Sequence, residues 1–158
     1  MSEGVVLDAV IRAPAEAAFA AITDWDGRDL WMVGTRVRVI EGDGRSVGSR
    51  IEATAGAGPL AIVDAMVITM WDPPHRIEVE HVGRFVKGRG SAEIHDLPHG
   101  MSRVVWTEDF QMPLGRLGRV GWPVVRPGFS VGVRHSLHTF AELVESGVLP
   151  RETAWPGR

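Results

Sequence analysis

The chain has 158 residues, 44% of them hydrophobic and 23% charged, with a formal net charge of −3. That is the balance of one soluble domain, with little room for a second core. There is no Cys and no Tyr, which excludes disulfides, thiolate metal sites, a cysteine nucleophile and any mechanism built on a tyrosine acid. The basic residues are 16 Arg and the single Lys87, spread along the chain without a basic stripe. Nucleic acid is therefore not an expected partner. No stretch reaches the ~20 apolar residues of a membrane helix, and Met1–Gly4 lacks the basic start and apolar core of a signal peptide. Expected, then, are no membrane insertion and a cytoplasmic location.

Residues 4–12 alternate as a strand, and Ala13-Pro14 stops it. Pro14 suits a helix start, and Ala15, Ala18, Phe19 and Ile22 form one apolar face of a short helix from Pro14 to about Thr23. Asp24–Gly27 breaks it, and a second very short helix or turn follows, with Leu30 and Trp31 directed inward. Six strands are then predicted in a row. They run from Thr35 to Glu41, Val47 to Ala55, Ala61 to Trp71, Arg76 to Val82, Val86 to Asp96 and Met101 to Met112. Gly42-Asp43-Gly44, Gly56–Pro59, Asp72-Pro73-Pro74 and Pro98-His99-Gly100 separate most of them. The third of these six is apolar on both faces, with Met66, Ile68 and Met70 assigned inward and Val63, Val67 and Trp71 outward. Residues 113–121 read as a glycine-rich connection, with Leu114–Trp122 able to act as a lid. Phe129, Val133, Leu137, Phe140, Ala141 and Val144 recur at helical spacing in a long helix from about Trp122 to Glu145. Ser146-Gly147 ends it, leaving one domain over 1–147 and a loose tail over 148–158. The fold class is α+β: a curved seven-stranded antiparallel sheet wrapped around one long C-terminal helix.

Particular segments carry a family resemblance. VIRAPAEAAFAAITDWDGRDLW, GSRIEA, MWDPPHRIEVE and GMSRVVWTEDF resemble the first strand, two short helices, D-P-P turn and glycine-led penultimate strand of the START and birch-pollen-allergen (SRPBCC) superfamily. Within it the chain is most similar to the bacterial polyketide cyclase/dehydrase and lipid-transport-like branch, over about Val5 to Gly147. The resemblance implies the helix-grip fold and a cavity between sheet and helix. It does not choose an activity, because the superfamily includes lipid carriers, receptors and aromatase/cyclases.

The inward faces supply the site candidates. Val104, Trp106, Glu108 and Phe110 share one face of the last strand, and Arg103, Val105, Thr107 and Asp109 the other, so strand register decides which carboxylate faces the cavity. If Glu108 does, burial would raise its pKa and suit it to acid or base work, with His81 as partner or as a core histidine. Ligand contact is expected from Trp31, Met66, Met70, His81, Gly90, Ala92, Trp106, Glu108, Phe110, Phe129, Val133 and Phe140. Gly88 and Gly90 are read as leaving space for a ligand. His135 and His138, three apart on the long helix, lack the third ligand a zinc site needs. No metal and no cofactor are expected. The leading reading is a binder of a small hydrophobic molecule; the alternatives are a cyclase/dehydratase using Glu108 and His81, and an interaction module or homodimer using the outer face of strand 61–71.

Overall fold

The computed structural model describes residues 3–111 and 115–151; the side chains of Glu3, Phe110 and residues 115–126 are not described. Seven strands form one antiparallel sheet: β1 (Glu3–Ile11), β2 (Thr35–Glu41), β3 (Arg50–Ala55), β4 (Ile62–Asp72), β5 (Arg76–Val82), β6 (Lys87–Leu97) and β7 (Met101–Gln111). Their order is β1-β7-β6-β5-β4-β3-β2. Five short connections make the meander from β2 to β7. The first strand is instead held by the last, Val5 opposite Glu108 and Ile11 opposite Ser102. Helix α1 (Ala15–Ile22) and a 3-10 helix (Asp26–Leu30) carry the chain from one sheet edge to the other. Helix α2 (Gly115–Glu145) packs against β1 and α1. No described helix is long and apolar enough to cross a membrane.

The core follows the alternation of the strands. Phe19, Trp31, Ile51, Ile68, Val104 and Phe140 are fully buried between the curved sheet and the helices. Phe19 meets Trp71 edge-on, ring centroids 5.2 Å apart, and Val5 and Leu7 of β1 pack on Leu137 of α2. Trp25, just ahead of the 3-10 helix, ties it to the β2–β3 turn: its Nε1 donates to Gly44 O at 2.8 Å. Gly44 has φ +70°, and a Cβ there would lie 2.6 Å from Val39 Cγ2, so this turn needs glycine twice over.

Four sequence expectations are corrected. First, α2 starts at Gly115 rather than near Trp122, so the expected lid over Leu114–Trp122 is helical from Gly115 onward; Leu114 itself lies outside the described residues. The glycines and prolines between Gly115 and Pro127 lower helix propensity without forbidding helix. Second, a bulge between Ile68 and Met70 shifts the β4 register. An extra residue reverses the inside–outside alternation beyond it. Met70 therefore turns out, 38% exposed, while Trp71 packs against the core. The outward apolar strip expected to end at Trp71 is accordingly cut short. Third, Leu30 is exposed while Trp31 is buried, because successive residues of a tight helix cannot share one face.

Fourth, the tail is not loose at its start. Leu149 is 2% exposed. Arg151 donates to Asp24 from its backbone N–H (3.1 Å), Nε (3.1 Å) and Nη2 (3.0 Å). Asp24 is buried and also accepts from Gly27 N–H. Burial alone would raise the pKa of this carboxyl; the Arg151 bonds and charge outweigh it and hold it below its ordinary 3.8. Trp155, the tail residue available to cover the outer face of β4, lies outside the described residues.

Arg151→Ala is expected to cost about 1–2 kcal/mol, since Arg151 is partly solvated but leaves a buried carboxylate short of donors. In thermal melts this is roughly 2–8 °C. Asp24's folded pKa lies below its unfolded value, so its contribution is present above pH 3.8 and is lost as pH falls further. The wild-type advantage should shrink over that acid range in melts of both proteins.

Candidate functional site

The inner faces of β2–β7, the 3-10 helix and α2 enclose a cavity of about 300 Å³. Most of its wall is apolar, and four charged residues line it: Arg28, Asp64, His81 and Glu108. Three of these, with Trp106, form one chain of hydrogen bonds. His81 Nδ1 lies 2.7 Å from Asp64 Oδ2 and His81 Nε2 lies 3.2 Å from Glu108 Oε2. Trp106 Nε1 donates to Glu108 Oε1 at 2.9 Å. Both ring nitrogens face carboxylates, so the imidazole is held as the cation donating to each. Burial alone would lower the His81 pKa; the bonds and charges of Asp64 and Glu108 outweigh it and raise it from 6.5 to about 9.

The chain depends on what β6 lacks. His81 is on β5 and Glu108 on β7, with β6 between them, and strands two apart are separated by roughly 9.6 Å. On β6, His81 is opposite Gly88, and Gly90 is opposite both Val79 and Glu108. A Cβ on Gly90 would lie 2.9 Å from Glu108 Oε2 and 3.1 Å from Oε1. The missing side chain is thus filled by the Glu108 carboxylate. That corrects the expectation that glycine at this point leaves room for a ligand. It also replaces the picture of a carboxyl isolated in an apolar wall, because Glu108, 8% exposed, accepts from two N–H donors.

Arg28 is one of two charged wall residues that sequence reasoning missed. It is buried on the 3-10 helix, its guanidinium carbon 5.3 Å from the Trp25 ring centroid, 4.7 Å from Trp31 and 5.2 Å from Trp106. Nη2 donates to Ile22 O at 3.1 Å. Among the described residues no carboxylate touches it directly. Burial pulls its pKa from 12.5 to about 10, against the opposing charges of Glu108 and Asp24. Contacts of a desolvated guanidinium with indole faces stabilise by about 2 kcal/mol. The signal was present as W-x-x-R-x-x-W over Trp25, Arg28 and Trp31. On a 3-10 helix, residues three apart eclipse one another, so this spacing stacks the three side chains in a column. Asp64, also missed, is the one charged residue between Ala61 and Met70.

Of the residues expected to contact a ligand, Trp31, Met66, His81, Gly90, Ala92, Trp106, Glu108, Phe129 and Val133 line the cavity. Met70 does not, because the β4 bulge turns it outward. Phe140 lies behind the wall, fully buried against Trp31 with ring centroids 4.9 Å apart. The Phe110 side chain lies outside the described residues. His135 and His138 are exposed on α2.

NMR of the His81 side-chain nitrogens should show the imidazolium at pH 8, where an ordinary histidine is neutral. Because the folded pKa of about 9 exceeds the unfolded 6.5, the stability it contributes is complete below pH 6.5 and is lost as pH rises through 9. Asp64→Asn should lower that pKa. Gly90→Ala should lower it too, with both carboxylates still present, by pushing Glu108 off the ring. Titration of wild-type His81 near 6.5 would refute this account of the site.

Several solved structures share the fold. TTHA0849 from Thermus thermophilus superposes with a TM-score of 0.75 at 19% identity, covering 92% of this chain and 99% of that one. The Zhui aromatase/cyclase of a Streptomyces species gives 0.74 at 16% identity, covering 97% and 98%. The di-domain aromatase/cyclase BexL gives 0.70 at 16%, covering 94% of this chain and 48% of that one. At these identities the likeness is one of fold. No curated protein sequence matches the chain. The family described as polyketide cyclase / dehydrase and lipid transport matches residues 4–145. With that match added to the seven-stranded sheet gripping a C-terminal helix, the chain belongs to the polyketide cyclase/dehydrase and lipid-transport family.

Proposed function

We propose that the protein binds a small hydrophobic molecule in the cavity between the sheet and α2. One observation carries the reading: a largely apolar cavity of about 300 Å³ whose charged wall residues lean on one another and on tryptophan rings. Trp31, Met66, Trp106, Phe129 and Val133 would supply the apolar contact, at about 25 cal/mol per Å² buried. Glu108 and His81 mark one polar end, where a ligand oxygen or N–H would fix orientation. The volume lies at the low end of small-molecule sites, which favours a compact ring compound over a long acyl chain. The aromatase/cyclase named among the structural neighbours supports a ring-shaped ligand in the same sense.

A second reading is acid–base catalysis on the bound molecule, of the cyclase/dehydratase type. The observation favouring it is the Asp64–His81–Glu108 chain, which places a carboxylate at the cavity wall with a cationic partner. In that reading Glu108 would take a proton from a carbon or hydroxyl next to a ligand carbonyl, and His81 would balance the charge.

Native mass spectrometry of the protein purified from its own host is expected to show a co-purifying mass. Titration with a fluorescent naphthalene probe should report binding. Val133→Trp, which fills the cavity from α2, is expected to weaken the probe about tenfold or more, equivalent to about 1.4 kcal/mol. Glu108→Gln separates the readings. A binder keeps its ligand unaltered in wild type and variant alike; an enzyme converts the ligand in wild type and only holds it in the variant. Unchanged probe affinity in Val133→Trp, with no co-purifying mass, would sink the cavity reading.

A further inference from the structure

We infer that the rim of the cavity mouth docks, peripherally, on an anionic lipid surface. Thr35, Ala55, Ile62 and Val86 belong to the cavity wall and lie where β2 starts, β3 ends, β4 starts and β6 is about to start. Three chain segments meet at this end of the sheet. Gly56 N–H donates to Gly34 O at 3.0 Å, joining the turn before β2 to the turn after β3. A Cβ on Gly56 would lie 3.4 Å from Leu60 O, and one on Gly83 would lie 3.2 Å from Ala65 N, bringing the β5–β6 turn against the start of β4.

Each segment ends in an apolar side chain facing water: Val33 at 86% exposure, Leu60 at 86% and Phe85 at 62%. Isolated exposed apolar residues are ordinary; three of them on adjoining turns around one apolar opening are not. The charges around them are one-sided. Residues 31–36, 56–63 and 82–90 contain no Asp or Glu but do contain Arg36, Arg84, Lys87 and Arg89, in a chain whose net charge is −3; Asp64, beside Gly83 at the same end, is taken up by His81. Arg89 lies in register between Glu80 and Asp109. Arg36, Arg84 and Lys87 are exposed and make no ion pair among the described residues, and the Arg84 guanidinium lies over the Phe85 ring, 5.9 Å from its centroid.

Apolar tips flanked by cations that have no acidic partner match the two layers of a bilayer surface. The tips enter the headgroup–acyl boundary while the cations meet lipid phosphates. An acidic protein would satisfy the cations but leave in water the exposed Val33, Leu60 and Phe85, with Ile62 and Val63 beside Leu60. Docking in this pose would also let an apolar molecule pass between bilayer and cavity without crossing water.

The test is flotation of the full chain with vesicles of phosphatidylcholine alone and of phosphatidylcholine with phosphatidylglycerol. Binding is expected on the anionic vesicles only and should fall with added salt. Arg84→Gln with Lys87→Gln should weaken it about 25-fold, from roughly fivefold per charge removed. Leu60→Asp with Phe85→Asp should abolish it while leaving the melting temperature and naphthalene-probe binding unchanged, since neither side chain lines the cavity. Failure to bind anionic vesicles, or equal binding to neutral ones, would overturn the proposal. So would binding to soluble polyglutamate that matches the vesicle binding and survives the Leu60/Phe85 change, which would assign the rim to an acidic protein. Probe uptake measured on the same samples keeps the cavity reading separate from this one.

Discussion

A carboxylate on β7 and an imidazolium on β5 touch because β6 puts no side chain between them. Much else in the interior follows from that contact. Burying an ion without a partner costs several kcal/mol, so neither Glu108 nor His81 is tolerable alone at this depth. Together with Asp64 they make a set in which both ring N–H groups and both Glu108 oxygens are used. Arg28 adds a second positive charge nearby, and the four lining charges sum to zero once His81 is protonated. Its solvation comes from indole faces and a backbone carbonyl rather than from a direct ion pair. The polar end of the cavity is therefore pre-organised, and the rest of the wall can be apolar.

The architecture was legible because it rests on repeating patterns. Strands alternating over five or more residues, and the 3.6-residue recurrence from Phe129 to Val144, read directly as sheet and helix. Even the inward position of Glu108 follows from its sharing a face with Val104, once register is known. What escaped has physical causes. Met70 and Trp71 exchanged places because a bulge adds one residue to a two-residue period, and nothing in Ile68-Thr69-Met70 signals it. Phe140 shares its helical face with cavity residues but sits deeper behind Trp31, and depth along a side chain's direction has no periodic signature. Asp64 was overlooked because a polar residue among apolar ones reads as an interruption until its partner, seventeen residues later, is placed beside it.

Arg28 is the more instructive omission. Its segment, Asp24–Trp31, reads as a break dense in charge, and such breaks are normally solvated. The three-residue spacing with two tryptophans has meaning only if the break is itself a helix, and only if that helix has three residues per turn. The glycines of β6 teach a related point. Small residues facing a cavity can indicate room for a ligand or room for a neighbour's side chain, and Gly90 is the second kind.

The pairing of the first strand with the last has a consequence for synthesis. β1 is made long before its partner β7, which begins about a hundred residues later, at Met101. Asp24 waits longer, until Arg151 has left the ribosome, 127 positions downstream. The β2–β7 meander can form as it emerges, since each strand pairs with its successor. The N-terminal strand and α1, with its apolar face of Ala15, Ala18, Phe19 and Ile22, cannot. Contacts this distant in sequence slow folding and leave apolar surface uncovered in the interval. Until β7 and Arg151 are in place, the apolar faces of β1 and α1 have no strand or anchor to close over them.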